Sequence, residues 1–124
     1  MSNRQESIKH ESVKARLQAD LTTAMKARDE ISTSTIRMVL SAITNAEVAG
    51  SAAIELTDQQ VIGVLQSEAK KRVEAAEVYE QAGRAESAAK ERAELAVIER
   101  YLPAAMGEVE LAALVDEAVV AAAR

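Results

Sequence analysis

Cysteine, tryptophan and phenylalanine are all missing from this chain of 124 residues, which also holds a single histidine, a single proline and four glycines. Each shortage removes a class of protein. Without cysteine there can be no disulfide, no thiolate metal site and no thiol nucleophile, and the chain fits a reducing compartment. The one histidine, His10, stands in a polar stretch with only Glu6 and Glu11 as near partners, so it reads as a solvated side chain rather than a general base or a metal ligand. Gly50, Gly63, Gly83 and Gly107 are isolated, and none belongs to a GxGxxG or Walker loop that could cradle phosphates. The hydroxyl-rich run Ser32 to Thr35 lies near a helix start, where such side chains cap, and without a histidine base a hydroxyl is a poor nucleophile. A self-contained enzyme is not expected, and no cofactor or metal is implied.

Long apolar runs are also lacking. Nothing approaches the roughly 18 consecutive apolar residues of a membrane span, and MSNRQESIKHESVK at the N-terminus has no apolar core of a signal peptide. A cytoplasmic protein without a membrane partner is expected. The net charge of −5 argues against general nucleic-acid affinity, which comes from Lys and Arg displacing counterions. The charge is uneven, however: residues 1–28 carry six basic and three acidic groups, so a shaped basic patch is compatible with an acidic whole.

What remains is abundant in alanine, leucine, isoleucine and valine. The 48 % apolar content with only Tyr79 and Tyr101 as aromatics predicts an aliphatic core in which small side chains let helices approach closely. No window alternates as a strand would, and breakers divide the chain into helices. The first is expected from about Ser12 to Arg28, with Val13, Leu17, Leu21, Ala24 and Met25 on one stripe. Asp29 reads as the N-cap of a second, reaching roughly Ala49 and burying Ile36, Val39, Leu40, Ile43 and Ala46. After a turn over 50–56, Thr57 and Gln60 form a capping box for a third helix, about Asp58 to Ala82, that Gly83 ends in a left-handed conformation. A fourth covers about Ala85 to Leu102, with Ala88, Leu95, Ile98 and Leu102 inward and Pro103 closing it. A fifth begins near Glu108 and carries Leu111, Leu114, Val115, Ala118 and Val119 toward the chain end, a face that a partner or a further segment would cover. The expected organisation is a flexible N-terminus (1–11), a helical subdomain (12–103) and the start of a smaller helical tail (104–124).

The basic triplet Lys70-Lys71-Arg72 is the feature with an obvious ligand type. At 100° per residue its members spread over more than half of the helix circumference, so they cannot all meet one phosphate. Glu68 precedes Arg72 by one turn and Glu74 follows Lys70 by one, the spacing of ordinary salt-bridged helix surfaces, as are Glu86 to Lys90 and Lys90 to Glu94. A solvated face and an anion-binding surface are both open readings. Glu91 and Glu94 could hold a metal from one helix face, though surface lacing is the simpler account. Arg37 sits among Ile36, Met38, Val39 and Leu40, placed to bridge two helices or to make a partly buried contact. Stacking recognition of unpaired bases is weak with only Tyr79 and Tyr101 available, and Tyr101 is expected in the core.

The order AMKARDE (24–30), STIRMVLSAITNAEV (34–48), ELTDQQVIGVLQSEAKKR (55–72), YEQAGR (79–84) and AAKERAELAVIERYLP (88–103) resembles the YqeY-like family. That family is similar to the C-terminal helical region of the B subunit of the tRNA-dependent amidotransferase, which makes glutaminyl- or asparaginyl-tRNA from misacylated precursors. The resemblance implies an all-α, multihelical GatB/YqeY-like subdomain followed by the start of a smaller helical tail. It further implies a non-catalytic module that helps to hold tRNA, with amidotransferase subunits as partners and a carbon–nitrogen ligase that uses glutamine as amide donor as the associated activity. The nucleic-acid-binding residues it carries over are Arg37 of the TxR motif, Lys70, Lys71, Arg72, and Arg84 after the helix-ending glycine. At Ser32 and Val73, where family members often carry a basic residue, this chain is neutral. The competing class is a protein-interaction or homo-oligomerising helical module with no direct tRNA role.

Overall fold

A computed structural model of the protein describes residues 11–103, which form four α-helices with no strand among them. They are α1 (Val13–Lys26), α2 (Glu30–Glu47), α3 (Asp58–Gln81) and α4 (Ala85–Glu99). The chain divides between Val61 and Ile62 into two compact units, the first holding α1 and α2 and the second most of α3 with α4. The expected flexible N-terminus apart from Glu11, His10, the fifth helix and the tail lie outside the described residues.

Caps set the boundaries. Ser12, expected as the first helical residue, is instead the N-cap of α1: its hydroxyl accepts from the Ala15 amide at 3.0 Å. The Val13 amide, another orphan donor of this helix start, is taken by the Asp58 carboxylate at 3.0 Å. At α2 the Asp29 carboxylate accepts from the Ser32 amide at 3.0 Å and, through its second oxygen, from the Ser32 hydroxyl at 2.7 Å. The capping box of α3 is reciprocal, with Gln60 N–H donating to Thr57 Oγ1 (3.1 Å) and Thr57 N–H to Gln60 Oε1 (2.9 Å). Gly83 ends the helix region with φ +75°, which is open to glycine because no Cβ opposes it.

In the first unit α1 and α2 run antiparallel, since Lys14 meets Glu47 at one end of the pair and Arg37 reaches Met25 at the other. Leu17, Ala24, Ile36, Val39, Ile43 and Val61 are buried, and each large aliphatic side chain removed from water contributes about 1.5–3 kcal/mol. Two expectations fail. Ala46 is exposed while its neighbour Glu47 is buried, because Glu47 has a cationic partner waiting on α1; and Met25, expected on the inner stripe, is 49 % exposed at the end of α1. Glu47 also organises the connection to α3: its carboxylate accepts from the Leu56 amide (3.2 Å) and its carbonyl from the Ile54 amide (3.0 Å), so one residue fastens the far end of the 48–57 segment.

The second unit is an antiparallel pair as well, since Arg92 of α4 binds Glu80 at 2.9 Å and Arg72 lies 3.7 Å from Glu94. Its interior combines Leu65, Ala69, Val73 and Ala76 of α3 with Ala88, Leu95, Val97 and Ile98 of α4, closed by Tyr101 and Leu102. Tyr101 is in the core, as expected. The three alanines leave backbones room to approach, in place of the volume that aromatic residues would supply.

Candidate nucleic-acid interface

The triplet Lys70-Lys71-Arg72 separates on folding. Arg72 is buried: its Nη1 donates to Glu68 Oε1 at 3.0 Å and to the Glu68 carbonyl at 3.3 Å, and Glu94 lies beside its Nε. The pairing with Glu68 is the one the i,i+4 spacing predicts, but it is an interior contact rather than surface lacing. Two carboxylates thus hold one guanidinium inside the helical pair, where a charge without partners would be costly. Glu94, expected to lace with Lys90, makes its ion pair with Arg72 instead. Burial raises its carboxyl above the ordinary value, Glu91 adds to this as hydrogen-bond partner and like charge, and Arg72 and Lys90 act in the opposite direction. Among the described residues no three His, Cys, Asp or Glu side chains gather as a metal site.

Lys70 is partly covered and lies 3.9 Å from Glu74, the expected partner. Lys71 points outward with 65 % of its side chain exposed, tethered at 3.0 Å to Glu68. One turn further, and again one turn after that, α3 places Glu74, Ala75, Val78 and Tyr79 on the same face as Lys71, and these five residues line a groove of about 370 Å³.

Arg84 joins that face through the backbone. The Gly83 amide donates to the Glu80 carbonyl (3.1 Å) and the Arg84 amide to the Tyr79 carbonyl (2.8 Å), the two crossed bonds of a Schellman turn. Such a turn folds the residue after the glycine back over the residue five before it, and the Arg84 guanidinium lies 5.3 Å from the centroid of the Tyr79 ring. Lys71 and Tyr79 thus line one groove, and Arg84 lies over the Tyr79 ring. The sequence gives Tyr79 only a weak stacking role; the signal that raises it is YEQAGR itself, an aromatic residue and an arginine at the two positions that a glycine-ended helix joins.

Arg37 belongs to the first unit. It is exposed, not partly buried, but it does bridge two helices, its Nη2 lying 3.6 Å from Met25 Sδ. It lines a second cleft with Met25, Arg28, Glu30, Thr33 and Ser34.

A family model described as Yqey-like protein matches residues 14–124. The chain belongs to that family. Among curated proteins this YqeY-like chain is similar to altered inheritance of mitochondria protein 41, mitochondrial, of Clavispora lusitaniae, with 36 % identity over 95 residues, 74 % of this chain and 54 % of the relative. The protein of the same name from Meyerozyma guilliermondii is 36 % identical over 86 residues, 69 % of this chain and 44 % of the relative. The chain thus spans about half the length of the curated relatives it matches. No helix among the described residues is long and apolar enough to cross a membrane.

Proposed function

We propose that this YqeY-like chain is a non-catalytic tRNA-binding module that assists glutamine-dependent tRNA amidation, with the carbon–nitrogen ligase chemistry performed by amidotransferase subunits to which it delivers or presents tRNA. The observation that carries the reading is the Arg84 guanidinium stacked on Tyr79, whose ring lines a groove together with Lys71. An exposed cation pair around an aromatic face is the combination that holds single-stranded nucleic acid: the cations meet phosphate and the ring accepts an unpaired base. Lys70, next to Lys71 on α3, is a further cation in this reading, and so, separately, is Arg37 on the first unit. Arg72 has a different task in this reading, that of holding α3 to α4. The cytoplasm is the compartment taken for the chain; the fungal relatives are named as mitochondrial proteins.

One observation favours a second reading. Val78, on the groove with Lys71, is 62 % exposed, and an apolar side chain beside a cation also suits docking of another protein or of a second copy of this chain.

A titration of the full chain against total deacylated tRNA separates the two. Three phosphate contacts, from Lys70, Lys71 and Arg84, predict affinity falling roughly 20- to 40-fold between 50 and 200 mM salt. Lys71→Glu, Tyr79→Ala and Arg84→Ala should each weaken binding about tenfold while the fold is kept, because Lys71 and Arg84 are exposed and Tyr79 is half-buried outside the core. Arg72→Ala should unfold the chain or lower its stability by about 3–5 kcal/mol, leaving Glu68 and Glu94 without their shared cation. Affinity indifferent to salt and to the three surface changes would remove the tRNA reading; a self-associating species lost on Val78→Glu would put the docking reading in its place.

A further inference from the structure

The turn between α1 and α2 repeats the turn between α3 and α4 with one difference. The Arg28 amide donates to the Met25 carbonyl (3.2 Å) and the Asp29 amide to the Ala24 carbonyl (2.9 Å), the same crossed pair of bonds seen at Gly83 and Arg84. The residue that turns the chain is in the left-handed region in both, at φ +75° for Gly83 and φ +58° for Arg28. Glycine takes this conformation freely; a Cβ opposes it, and arginine has none of the local hydrogen bonding by which asparagine or aspartate eases it. Arg28 is the one non-glycine residue with positive φ among those described. The backbone would be better served by glycine, so what position 28 gains from arginine is the side chain.

That side chain lines an open cleft of about 480 Å³ together with Met25 and four residues of α2, Glu30, Thr33, Ser34 and Arg37, whose spacing of three and four puts them on one helix face. Among the described residues neither Arg28 nor Arg37 is in an ion pair; the recorded contact of Arg37 is the neutral Met25 sulfur. This sets them apart from Lys14, Lys71, Arg72 and Arg92, each of which meets a carboxylate. Two guanidinium forks on one cleft suit a tetrahedral oxyanion. The Thr33 hydroxyl is a further donor, whereas that of Ser34 already donates to the Ile31 carbonyl at 3.3 Å. Glu30 supplies an acceptor on the same wall, which suits a ligand bearing a hydroxyl near its phosphate and disfavours a bare polyanion.

We propose that the cleft between the α1–α2 turn and the face of α2 is a phosphate-ester site in which Arg28 and Arg37 bind the phosphate and Glu30 accepts from an adjoining ligand hydroxyl, as on a ribose. The phosphate belongs to a free nucleotide or to an RNA strand. The site does not use the groove on α3; it shares Arg37 with the tRNA reading, and Arg28, which that reading does not use, keeps the two distinguishable.

The test follows the amide signals of residues 28–37 and the guanidinium N–H signals of Arg28 and Arg37 by NMR at low salt, during titrations of the full chain with AMP, with inorganic phosphate and with a short single-stranded RNA lacking terminal phosphates. Arg28→Gly is the decisive variant, because it removes the guanidinium while relieving the backbone. It should melt no lower than the parent and bind at least tenfold more weakly, and Arg37→Gln should match it in binding. Saturable shifts with AMP, stronger than with inorganic phosphate, support the free nucleotide as source; shifts with RNA alone support the strand. If none of the three probes moves these signals, or if both variants bind as the parent does, the proposal is overturned.

Discussion

Lys14 and Glu47 meet across the first helical pair with Nζ 3.0 Å from Oε1 and 3.1 Å from Oε2, one ammonium held by both oxygens of one carboxylate 33 residues away. Because that carboxylate also accepts the Leu56 amide, the pair joins α1, α2 and the connection to α3 at a single point.

The hydrogen bond from Lys14, together with the weaker effect of that from Leu56, holds the Glu47 carboxyl below its ordinary value of 4.5. A carboxyl that is more acidic in the folded than in the unfolded chain stabilises the fold above the unfolded value, and this contribution disappears as pH falls through the folded one. Glu47→Gln should therefore melt at a lower temperature than the parent at neutral pH, and the two should converge well below pH 4.5. Far-ultraviolet circular dichroism melts across this range provide the measurement; a gap of constant size would show that charge at Glu47 plays no part.

Glu94 should slope the other way. Burial, assisted by Glu91, lifts its carboxyl above 4.5, so its contribution is complete below that value and is lost as pH rises through the folded one. Glu94→Gln keeps a neutral group beside Glu91 and Arg72, and its stability relative to the parent should improve from acid toward neutral pH. The same series of melts reads this out, and a difference that moves in the opposite direction would mean that the pairing with Arg72 outweighs burial.

Thr35 offers a test of packing. It is fully buried and its hydroxyl has no hydrogen-bond partner. Valine has nearly the same shape without the oxygen, so Thr35→Val should stabilise the protein by about 1 kcal/mol, or roughly 4–8 °C in Tm for a domain near this size. Thr35→Ser, which retains the oxygen and removes the methyl, should destabilise it. Chemical denaturation of the three chains decides the matter, and a valine variant weaker than the parent would imply that the hydroxyl is satisfied in solution.

Those three sites also mark where reading the sequence stops. The helix boundaries at Asp29, Thr57 with Gln60, and Gly83 were legible because a cap is chemistry between residues a few positions apart. Membership of the all-α YqeY-like family was legible for the same reason, carried by short strings in a fixed order. The burial of Arg72 was not, since Lys70, Lys71 and Arg72 occupy three sides of one helix and only a second helix, bringing Glu94, selects which of them turns inward. Glu47 instead of Ala46 is the same problem: its reason for being inside is a lysine far away in the chain. Lys71 and Arg84 were visible as single cations, while the contact of Arg84 with Tyr79, on the groove that Lys71 lines, arises only through the turn at Gly83. Arg28 is easily passed over because a residue beyond a helix end draws attention when it is glycine, and here the informative fact is that it is not.

The scarcity of aromatic residues has an optical consequence. With no tryptophan, the near-ultraviolet absorbance and fluorescence of this protein come from Tyr79 and Tyr101 alone. Tyr101 is enclosed and should report only whether the second unit is folded, whereas Tyr79 lines the groove beneath Arg84. A Tyr101→Leu chain would leave one chromophore, at the place where the groove is occupied or empty. The molecule thus carries, without any label, its own indicator of occupancy.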